Sequence, residues 1–394
     1  MFDLDAVQAA LKQFDIDGWL FYDFHGSNVL ARRILGFEEG KMNTRRWFYM
    51  VPADGPPIRL VHRIEQAALD HLPGGKRVYL RWEELEKEVA GLVDGLKRVA
   101  MEYSARNAIP YVAKVDAGTV EVVRSAGAEV VSSGDLIQRF EATLDEEQWN
   151  THKESEKHTL AAFNLAVEMI ADRVRGGKPP RETEVQATIM GYFEDSNLVT
   201  DHPAIVAAGP HSGDPHYEPS PDTDSEIKEG EFVLIDFWAK LNKPRAVYSD
   251  YTRMVFVGET VPSRYADIFE IVAKARDAGV DCVRQAFAAG RPLHGWEVDD
   301  AARHVIDEAG YGQYFVHRTG HNIAQDLHGN GTHMDNLETR DERLILHNTL
   351  FSVEPGIYME EFGVRSEINV FVDGAGKVHV TGDPQRRVLT ILGR

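Results

Sequence analysis

Acidic residues interrupt apolar, strand-like runs in the C-terminal part of the chain. Asp236 lies within Glu231-Phe-Val-Leu-Ile-Asp236-Phe-Trp, a short run of β-branched and aromatic residues that predicts a buried strand. A carboxylate inside such a strand carries a desolvation cost unless a cation lies beside it. Asp250 opens the next apolar run after a Lys-Pro-Arg turn segment, so the two runs predict a hairpin with both carboxylates at one end. The fold must therefore accommodate buried negative charge.

The same pattern occurs twice more before the C-terminus. Glu354 and Glu367 each fall within a strand-like run where a core residue is expected, and His321 lies in the segment Arg318-Thr-Gly-His321. Any one of these acids alone is more often a surface, turn or ion-pair residue, so the prediction rests on their combination. Four acids and one imidazole predict two divalent metal ions that share carboxylates, and this oxygen-rich set suits Mn, Co, Fe or Zn better than a soft metal.

Histidines surround the predicted metal site in the sequence. His317, His321 and His328 fall within twelve residues around a glycine, without the helical spacing of a buried stripe. If His321 is a ligand, the other two are near enough to line the cavity and to move protons or hold a polarised carbonyl near neutral pH. His216 lies in a Gly/Pro-rich loop, where an isolated histidine is usually exposed. His333 lies in a Gly-Asn-Gly loop and is predicted to be exposed.

Length and charge limit the possible classes of protein. A chain of 394 residues predicts one large domain plus a smaller one. The net charge of −20 argues against nucleic acid or an anionic membrane surface as the main partner. No apolar run approaches the ~18–20 residues needed to cross a bilayer, and the first residues are acidic where a signal peptide is basic. Cys282, the single cysteine, is predicted to be a core residue, and we expect a cytoplasmic location.

Two domains are predicted from the order of the segments. Residues 1–145 alternate helix-like and strand-like segments and predict an α/β domain. Asp145 begins a charged and then amphipathic stretch that predicts a long helix ending at Gly176, and Thr183-Glu-Val-Gln186 predicts a capping box for the next helix. Residues 146–394 predict an α+β domain in which an antiparallel sheet has helices on one side.

These residues resemble a known family in their order and spacing. The motifs are, in chain order, Asp236, Asp250, Thr-Gly-His321, then His328, Val-Glu354-Pro-Gly-Ile-Tyr358 and Gly-Val-Arg365-Ser-Glu367. They resemble the dinuclear metallopeptidases of the aminopeptidase P, prolidase and methionine aminopeptidase group, family M24. The resemblance covers about residues 150–390. It implies an α/β N-terminal creatinase-type domain plus an α+β pita-bread catalytic domain, as in the aminopeptidase P and prolidase branch.

The resemblance also implies a reaction and roles for individual residues. A bridging hydroxide between two metal ions would hydrolyse the Xaa-Pro bond at the N-terminus of dipeptides or short peptides. The implied metal ligands are Asp236, Asp250, His321, Glu354 and Glu367, with Asp250 and Glu367 as bridges. The implied catalytic residues are His216 and His328, which would contact the scissile carbonyl, and Glu354, which would take a proton from the water. The implied residues on the proline side of the substrate pocket are His317, Tyr358 and Arg365.

The sequence departs from the family pattern in several places around the ligands. Asp236-Phe-Trp238 replaces the usual Asp-x-Gly, and the segment leading to Asp250 is about three residues longer than usual. Asn322-Ile-Ala324 stands where the family has Gly-Ile-Gly, and Gly329 replaces the common Glu after His328. The ligands survive these changes, which bear on the shape of the substrate pocket and on the choice between dipeptides and longer peptides.

The resemblance also suggests two alternative functions and an oligomeric state. A creatinase-like hydrolase and a non-catalytic pita-bread binding protein are both disfavoured by the intact ligand set. Prolidase-like enzymes often pair, so we expect a homodimer. The polar turn from Asp23 to Asn28, with His25, is the candidate segment that reaches a partner's active site, although such a turn is more often a plain surface feature.

Overall fold

The computed structural model of the protein describes residues 2–38, 40 and 43–393. The chain divides into two compact units, Met1–Glu141 and Ala142–Arg394, called here the N-terminal and C-terminal units. The predicted domain boundary, between residues 145 and 146, falls at the start of the helix Glu146–Arg175. Within the described ranges, no helix is both long enough and apolar enough to cross a membrane.

The described residues of the N-terminal unit form a mixed sheet of six strands. The strands are β1 Gly18–Asp23, β2 Trp47–Pro52, β3 Ile58–His62, β4 Gly75–Tyr79, β5 Arg98–Met101 and β6 Glu129–Ser132. The helices are α1 Leu4–Gln13, α2 Val29–Ile34, α3 Trp82–Val93, α4 Ala117–Ser125 and α5 Gly134–Glu141. The strand order is β4-β3-β2-β1-β5-β6, with β1 antiparallel to β2 and parallel to β5. The predicted alternation of helices and strands is confirmed.

Both faces of this sheet are buried, as the continuous apolar sequence of β1 requires. Trp19 and Phe21 pack into the cluster that contains α1 and α2, whereas Leu20 and Tyr22 pack with α3 and α4 on the opposite face. Alternate residues of a strand point to opposite faces, so a strand covered on both sides has few polar positions.

A polar turn connects β1 to α2, as predicted for the segment from Asp23 to Asn28. The Asp23 carboxylate accepts hydrogen bonds from the backbone N–H groups of Gly26 (3.2 Å) and Asn28 (3.0 Å). The Asn28 side chain then caps α2 by accepting from the backbone of Ala31 at 3.0 Å. His25 is exposed in this turn and adopts φ of 57°, in the left-handed region.

Residues 142–393 of the C-terminal unit, which the structure describes, form four long helices and three small sheets. The helices are α6 Glu146–Arg175, α7 Glu182–Asp195, α8 Ser263–Ala288 and α9 Gly295–Glu308. The strands are β7 Leu198–Val199, β8 Ile205–Ala208, β9 Phe232–Leu241, β10 Ser249–Phe256, β11 Asn322–Ile323, β12 Thr349–Val353, β13 Gly356–Tyr358, β14 Gly363–Arg365, β15 Ile368–Val372, β16 Val378–Thr381 and β17 Leu389–Thr390. One sheet has the order β17-β10-β9-β7 with β8 also paired to β9, the second is β11-β12-β15-β16, and β13 pairs with β14.

Helices contact both faces of the β9–β10 hairpin. On one face α6 and α7 pack against the strands, and the ring of Phe163 stacks on that of Phe237 at 5.3 Å between centroids. On the other face Phe232 stacks on Tyr265 of α8 at 4.3 Å. The prediction of helices on one side only is therefore wrong, because the apolar end of the second face also needs cover. The rest of that face carries acids.

Two local predictions need correction. The capping box of α7 begins two residues earlier than predicted, because Arg181 is the N-cap residue and its backbone N–H donates to Glu184 at 2.8 Å. The Thr183 hydroxyl instead donates a hydrogen bond to the Asp224 carboxylate. Cys282, predicted to be a core residue, is half-buried at the edge of the cluster between α8 and the second sheet.

Candidate metal centre

The β9–β10 hairpin presents two neighbouring pairs of residues on one face. In its antiparallel register Asp236 lies opposite Thr252, and Trp238 lies opposite Asp250. Alternate residues of a strand share a face, so the four side chains lie on the same side of the hairpin. Asp236 and Asp250 are only 8% and 4% exposed. The predicted hairpin is confirmed, and its two carboxylates occupy adjacent pairs.

Glu354 and Glu367 lie at breaks between strands rather than inside them. Glu354 follows β12 and precedes β13, and Glu367 lies between β14 and β15. Each break occurs where the chain passes between the second sheet and the small β13–β14 pair. Pro355, which has no backbone N–H, interrupts the first of these runs. The prediction that these two acids are embedded in strands is wrong, although both end up beside the hairpin acids.

Ligand-type atoms from separate elements converge here. One ligand atom each from Asp250, His321 and Glu367 lies within 4.8 Å of the other two. The Nε2 atom of His321 is 3.3 Å from Oδ2 of Asp250 and 3.4 Å from Oε1 of Glu354. His321 and Glu367 are 3% and 1% exposed. We call Asp236, Asp250, Glu354 and Glu367 the acid cluster.

Arg365 and Thr252 join Asp236 to the other acids. The Arg365 guanidinium donates to Oδ2 of Asp236 and, at 2.9 Å, to the Thr252 hydroxyl. That hydroxyl lies 3.1 Å from Oδ1 of Asp236 and 2.8 Å from Oε2 of Glu367. Since a hydroxyl has one proton, it serves only one of these two carboxylates at a time.

Burial raises the pKa of every carboxyl in the acid cluster, because loss of water penalises the charged form. The pKa values of Asp250 and Glu367 are raised well above the ordinary range, first by burial and then by the neighbouring acids. Burial also raises the pKa of Asp236, against the opposing effect of Arg365, and raises that of Glu354 to about 7. In the protein alone the cluster therefore resists full ionisation.

His321 turns a lone pair towards these acids. Its Nδ1 atom lies 3.2 Å from the carbonyl oxygen of Asn322, an acceptor, so Nδ1 carries the proton. Burial lowers the pKa of His321 well below its ordinary value, and the ring is neutral. Nε2 is then unprotonated and faces two carboxylates. A bound cation would turn this repulsion into attraction, and histidine ligands commonly donate their other ring N–H in this way.

The composition of the site fits divalent cations. Four carboxylates carry −4 and Arg365 carries +1, which leaves an excess of three negative charges when all are ionised. Oε1 of Glu367 is buried and has no hydrogen-bond partner among residues 2–38, 40 and 43–393. Carboxylate oxygens with one imidazole suit Mn, Fe, Co or Zn. The residues present therefore match the metal requirement predicted from the sequence.

His317, Tyr358 and Arg365 form one hydrogen-bonded group beside the acid cluster. Nδ1 of His317 lies 2.6 Å from the carbonyl oxygen of Arg318, so Nε2 accepts from the Tyr358 hydroxyl at 2.8 Å. The same hydroxyl accepts from Arg365 at 3.2 Å. Burial lowers the pKa of His317 to about 3 and raises that of Tyr358. The structure thus brings together the three residues predicted to line the proline side.

The two predicted catalytic histidines are both exposed, and they lie beside different residues. The ring of His328 packs edge-on against that of His321, with 4.3 Å between centroids. Packing and the charge of Arg318 lower the pKa of His328 to about 4, so its ring is neutral near neutral pH. His216 is exposed, and the adjacent Pro215 carbonyl accepts from Arg365 at 3.3 Å.

His333 is fully buried, so the prediction of an exposed residue is wrong. Its Nδ1 atom accepts from the backbone N–H of Asn322 at 3.1 Å, and its own backbone N–H donates to Asp341 at 2.8 Å. The glycine-containing loop folds back over β11, and the histidine holds it there. The local sequence shows only a polar, glycine-containing loop and does not show the residues that this loop contacts.

Three polar residues that the sequence analysis missed orient the predicted ligands: Thr252, Ser352 and Asn369. The Ser352 hydroxyl accepts from the backbone N–H of His321 at 2.9 Å and donates to Glu354 at 3.0 Å. The Asn369 side chain bonds both backbone polar groups of Asp250, at 3.0 and 2.8 Å. Each missed residue lies two positions from a predicted ligand. Because alternate residues of a strand lie on the same face, the spacing of two from each predicted ligand was the signal that could have found them.

Comparison with known proteins agrees with this geometry. The family model described as Metallopeptidase family M24 matches residues 150–374. A protein named probable dipeptidase PepE from Mycobacterium tuberculosis is 27% identical over 350 residues, covering 86% of this chain and 84% of the relative. A protein named Xaa-Pro dipeptidase from Pyrococcus furiosus is 32% identical over 220 residues, covering 55% and 57%.

A solved structure extends the similarity to nearly the whole chain. Dipeptidase PepE from Mycobacterium ulcerans superposes with a TM-score of 0.67 at 23% identity, covering 98% of this chain and 96% of that one. At this identity the match shows the fold alone. It confirms the predicted fold class, an α/β N-terminal domain followed by a pita-bread catalytic domain.

Proposed function

Because this chain belongs to metallopeptidase family M24, we propose that it hydrolyses the Xaa-Pro bond at the N-terminus of dipeptides or short peptides. Family membership itself establishes a dipeptidase-like metal-dependent hydrolase, and the preference for proline is the step that we add. The Xaa-Pro bond has no N–H and a rigid ring, so peptidases that need a backbone donor handle it poorly. The name of the Pyrococcus furiosus relative, Xaa-Pro dipeptidase, supports the same preference.

The observation that carries the proposal is the convergence of Asp250, His321 and Glu367 within 4.8 Å. We propose that the acid cluster and His321 hold two divalent ions, with Mn ranked before Zn, Co and Fe. Two such ions, when bound, activate a water molecule and polarise the scissile carbonyl. Loss of ligand residues would be expected in a non-catalytic relative or in a metal-free creatinase-like hydrolase, whereas all five residues are present.

The chain's own groups supply the remaining steps. His328 is neutral and accessible, so a ring N–H can donate to the developing oxyanion, and His216 can approach the same carbonyl from its exposed loop. The Glu354 carboxylate takes the proton from the attacking water and returns it to the proline nitrogen as the C–N bond breaks.

The His317–Tyr358–Arg365 group suits the proline side of the pocket. Its polar atoms satisfy one another, since Tyr358 donates to His317 and accepts from Arg365. Two aromatic rings then remain to pack against the pyrrolidine ring, with 5.2 Å between their centroids. This arrangement supports the recognition of an apolar ring rather than a charged side chain.

We further propose a homodimer that acts in the cytoplasm. The exposed His25, held with a left-handed backbone by the Asp23 turn, supports a role at a partner's active site, because strained polar residues often occur at functional sites. A single cysteine, Cys282, is compatible with a reducing compartment. Light scattering at assay concentration tests the pairing, and a fully active monomer would rule it out.

Mixing two inactive variants tests the shared site more sharply. A His25→Ala subunit is combined with a His328→Ala subunit, and activity above either parent is expected if the two residues act together across the interface. No recovery would leave His25 as a structural residue of the turn.

A matched set of peptides tests the proposed reaction. We expect the Mn-loaded protein to hydrolyse Met-Pro far faster than Met-Ala, and a comparison of Met-Pro with Met-Pro-Gly separates a dipeptidase from an aminopeptidase. Removal of metal with a chelator should abolish cleavage of both Met-Pro and Met-Pro-Gly, and addition of Mn should restore it. Equal or faster cleavage of Met-Ala would contradict the preference for proline.

A further inference from the structure

A bulky residue stands on the acid-bearing face of the hairpin where the family pattern has glycine. Trp238 lies directly opposite Asp250 in the β9–β10 register, and it shares a face with Asp236. Side chains that face each other across two strands begin roughly 5 Å apart. The indole therefore starts beside the Asp250 carboxylate, and it is 9% exposed. The Trp238 side chain therefore forms a wall on one side of the candidate metal centre, called here the Trp238 wall.

The indole holds an exposed carboxylate beside that wall. Nε1 of Trp238 donates to Oδ1 of Asp201 at 2.7 Å, and Asp201 is exposed in the segment that follows β7. Asp201 thus lies one indole and one hydrogen bond from Asp250.

Asp201 has capacity for a cation. Within the part of the chain that the structure describes, no lysine, arginine or histidine forms an ion pair with it. A carboxylate has about four lone-pair sites, and one indole N–H occupies only one of them. The remaining sites face solvent at the edge of the Trp238 wall, where a bound ligand can reach them.

The two residue pairs of the hairpin give the site opposite charges at its two ends. Arg365 binds the Asp236–Thr252 pair, whereas Trp238 and Asp201 lie at the Trp238–Asp250 pair. The pairs are separated by two residues, or roughly 7 Å along the strand. Under the proposed function the proline lies on the Arg365 side. The residue before proline then lies towards Trp238 and Asp201.

We propose that Trp238 and Asp201 determine specificity for the residue before proline, and that they select lysine or arginine there. This inference rests on the proposed function and adds its substrate class, Xaa-Pro peptides with a cationic first side chain. The indole face packs along the aliphatic stem and attracts the charged head, and the Asp201 carboxylate binds that head at the wall's outer edge. A long stem is needed to reach it, because the α-ammonium stays close to the scissile bond.

The test is the ratio of kcat/KM for Lys-Pro to that for Met-Pro, whose side chains have similar length and differ in charge. We expect the ratio to exceed one in the wild type and to fall by about fivefold or more in Asp201→Asn. Asp201→Glu should keep most of the ratio. Trp238→Phe keeps a ring but removes the N–H donor, and should lower the ratio by a smaller factor. Asp195→Asn, at an exposed acid on α7, is the matched control and should leave the ratio unchanged.

Two outcomes would overturn the inference. A wild type that prefers Met-Pro or Glu-Pro would contradict a cation-selecting site. An equal loss for Lys-Pro and Met-Pro in Asp201→Asn would show that Asp201 acts on the α-ammonium or on the fold instead of the side chain. Lys-Ala and Met-Ala are measured in parallel, so the ratio still reports on Asp201 if the preference for proline fails.

Discussion

The two units bury carboxylates under different conditions. In the N-terminal unit Glu102 is a single, fully buried acid, and its oxygens accept from Nε1 of Trp19 (2.6 Å), Nδ2 of Asn28 (2.7 Å) and the Ser133 hydroxyl (3.2 Å). In the C-terminal unit four acids share one guanidinium and a few hydroxyls. There Oε1 of Glu367 finds no hydrogen-bond partner among the described residues.

The difference teaches how to separate a structural acid from a ligand. Burial raises the pKa of Glu102 to about 7, yet neutral donors meet its oxygens, and the site is complete without an ion. The acid cluster has more negative charge than donors, and the lone pair of His321 adds to the imbalance. Only cations complete it. The number of donors for each carboxylate, and not burial alone, distinguishes the two regions.

The largest expected effect comes from removing a proposed metal ligand. Glu367→Ala or Asp250→Ala should reduce turnover to background and lower bound metal in elemental analysis of the purified protein, because each contributes a buried oxygen to the centre. Glu102→Gln is the matched control, a change at an equally buried acid, and should keep metal and turnover. Full metal content and full turnover in either ligand variant would remove that residue from the centre.

A second effect should appear in turnover without metal loss. His328→Ala should lower kcat by roughly 10²–10³, the scale of a lost oxyanion donor, while metal content stays normal. His304→Ala, at an exposed position on α9, is the matched control. Metal loss in His328→Ala would make this residue a ligand instead.

The raised pKa of Glu102 predicts a pH-dependent stability. Its folded pKa of about 7 lies above the ordinary 4.5, so the folded state binds the proton more tightly than the unfolded state. The free energy of unfolding should therefore fall as pH rises from 4.5 to 7, by about 3 kcal/mol relative to Glu102→Gln, which does not titrate. Denaturant unfolding of both proteins across this range measures the difference. A constant difference would show that Glu102 is ionised throughout.

A smaller effect on stability is expected at Glu182, a buried acid of the C-terminal unit whose oxygens already accept hydrogen bonds. Glu182 is fully buried and accepts from the backbone of Ala208 (2.6 Å) and Ser225 (2.8 Å) and from the Tyr217 hydroxyl (2.8 Å), with His211 Nδ1 at 2.9 Å. Glu182→Gln should lower the free energy of unfolding by about 1–3 kcal/mol, because an amide N–H then meets these donors. Metal content should not change. Metal loss comparable with that of a ligand variant would break the distinction between the regions.

The sequence predicted the elements and the ligand types better than their contacts. Apolar period and capping residues located α6 closely, from Asp145 to Gly176, because these signals are local. Asp236 and Asp250 stood out because a lone acid is costly in an apolar strand.

Long-range partners could not be predicted from local pattern. Arg365 meets Asp236 across 129 residues of sequence, and no periodicity reports such a pair. His333 is buried only because its loop folds back on β11. The bond from Trp238 to Asp201 likewise depends on how β7 and β9 come together.

The most direct test of the central claim is the thermal unfolding of the wild type and Glu367→Gln, each with chelator and with Mn. If the acid cluster is complete only with cations, the wild type gains stability on adding Mn and the variant gains less. With Mn the wild type is the more stable protein. With chelator the order of stability reverses, because the variant lacks one acid whose pKa is raised by burial. A wild type indifferent to metal, or a variant less stable in both conditions, would contradict the account.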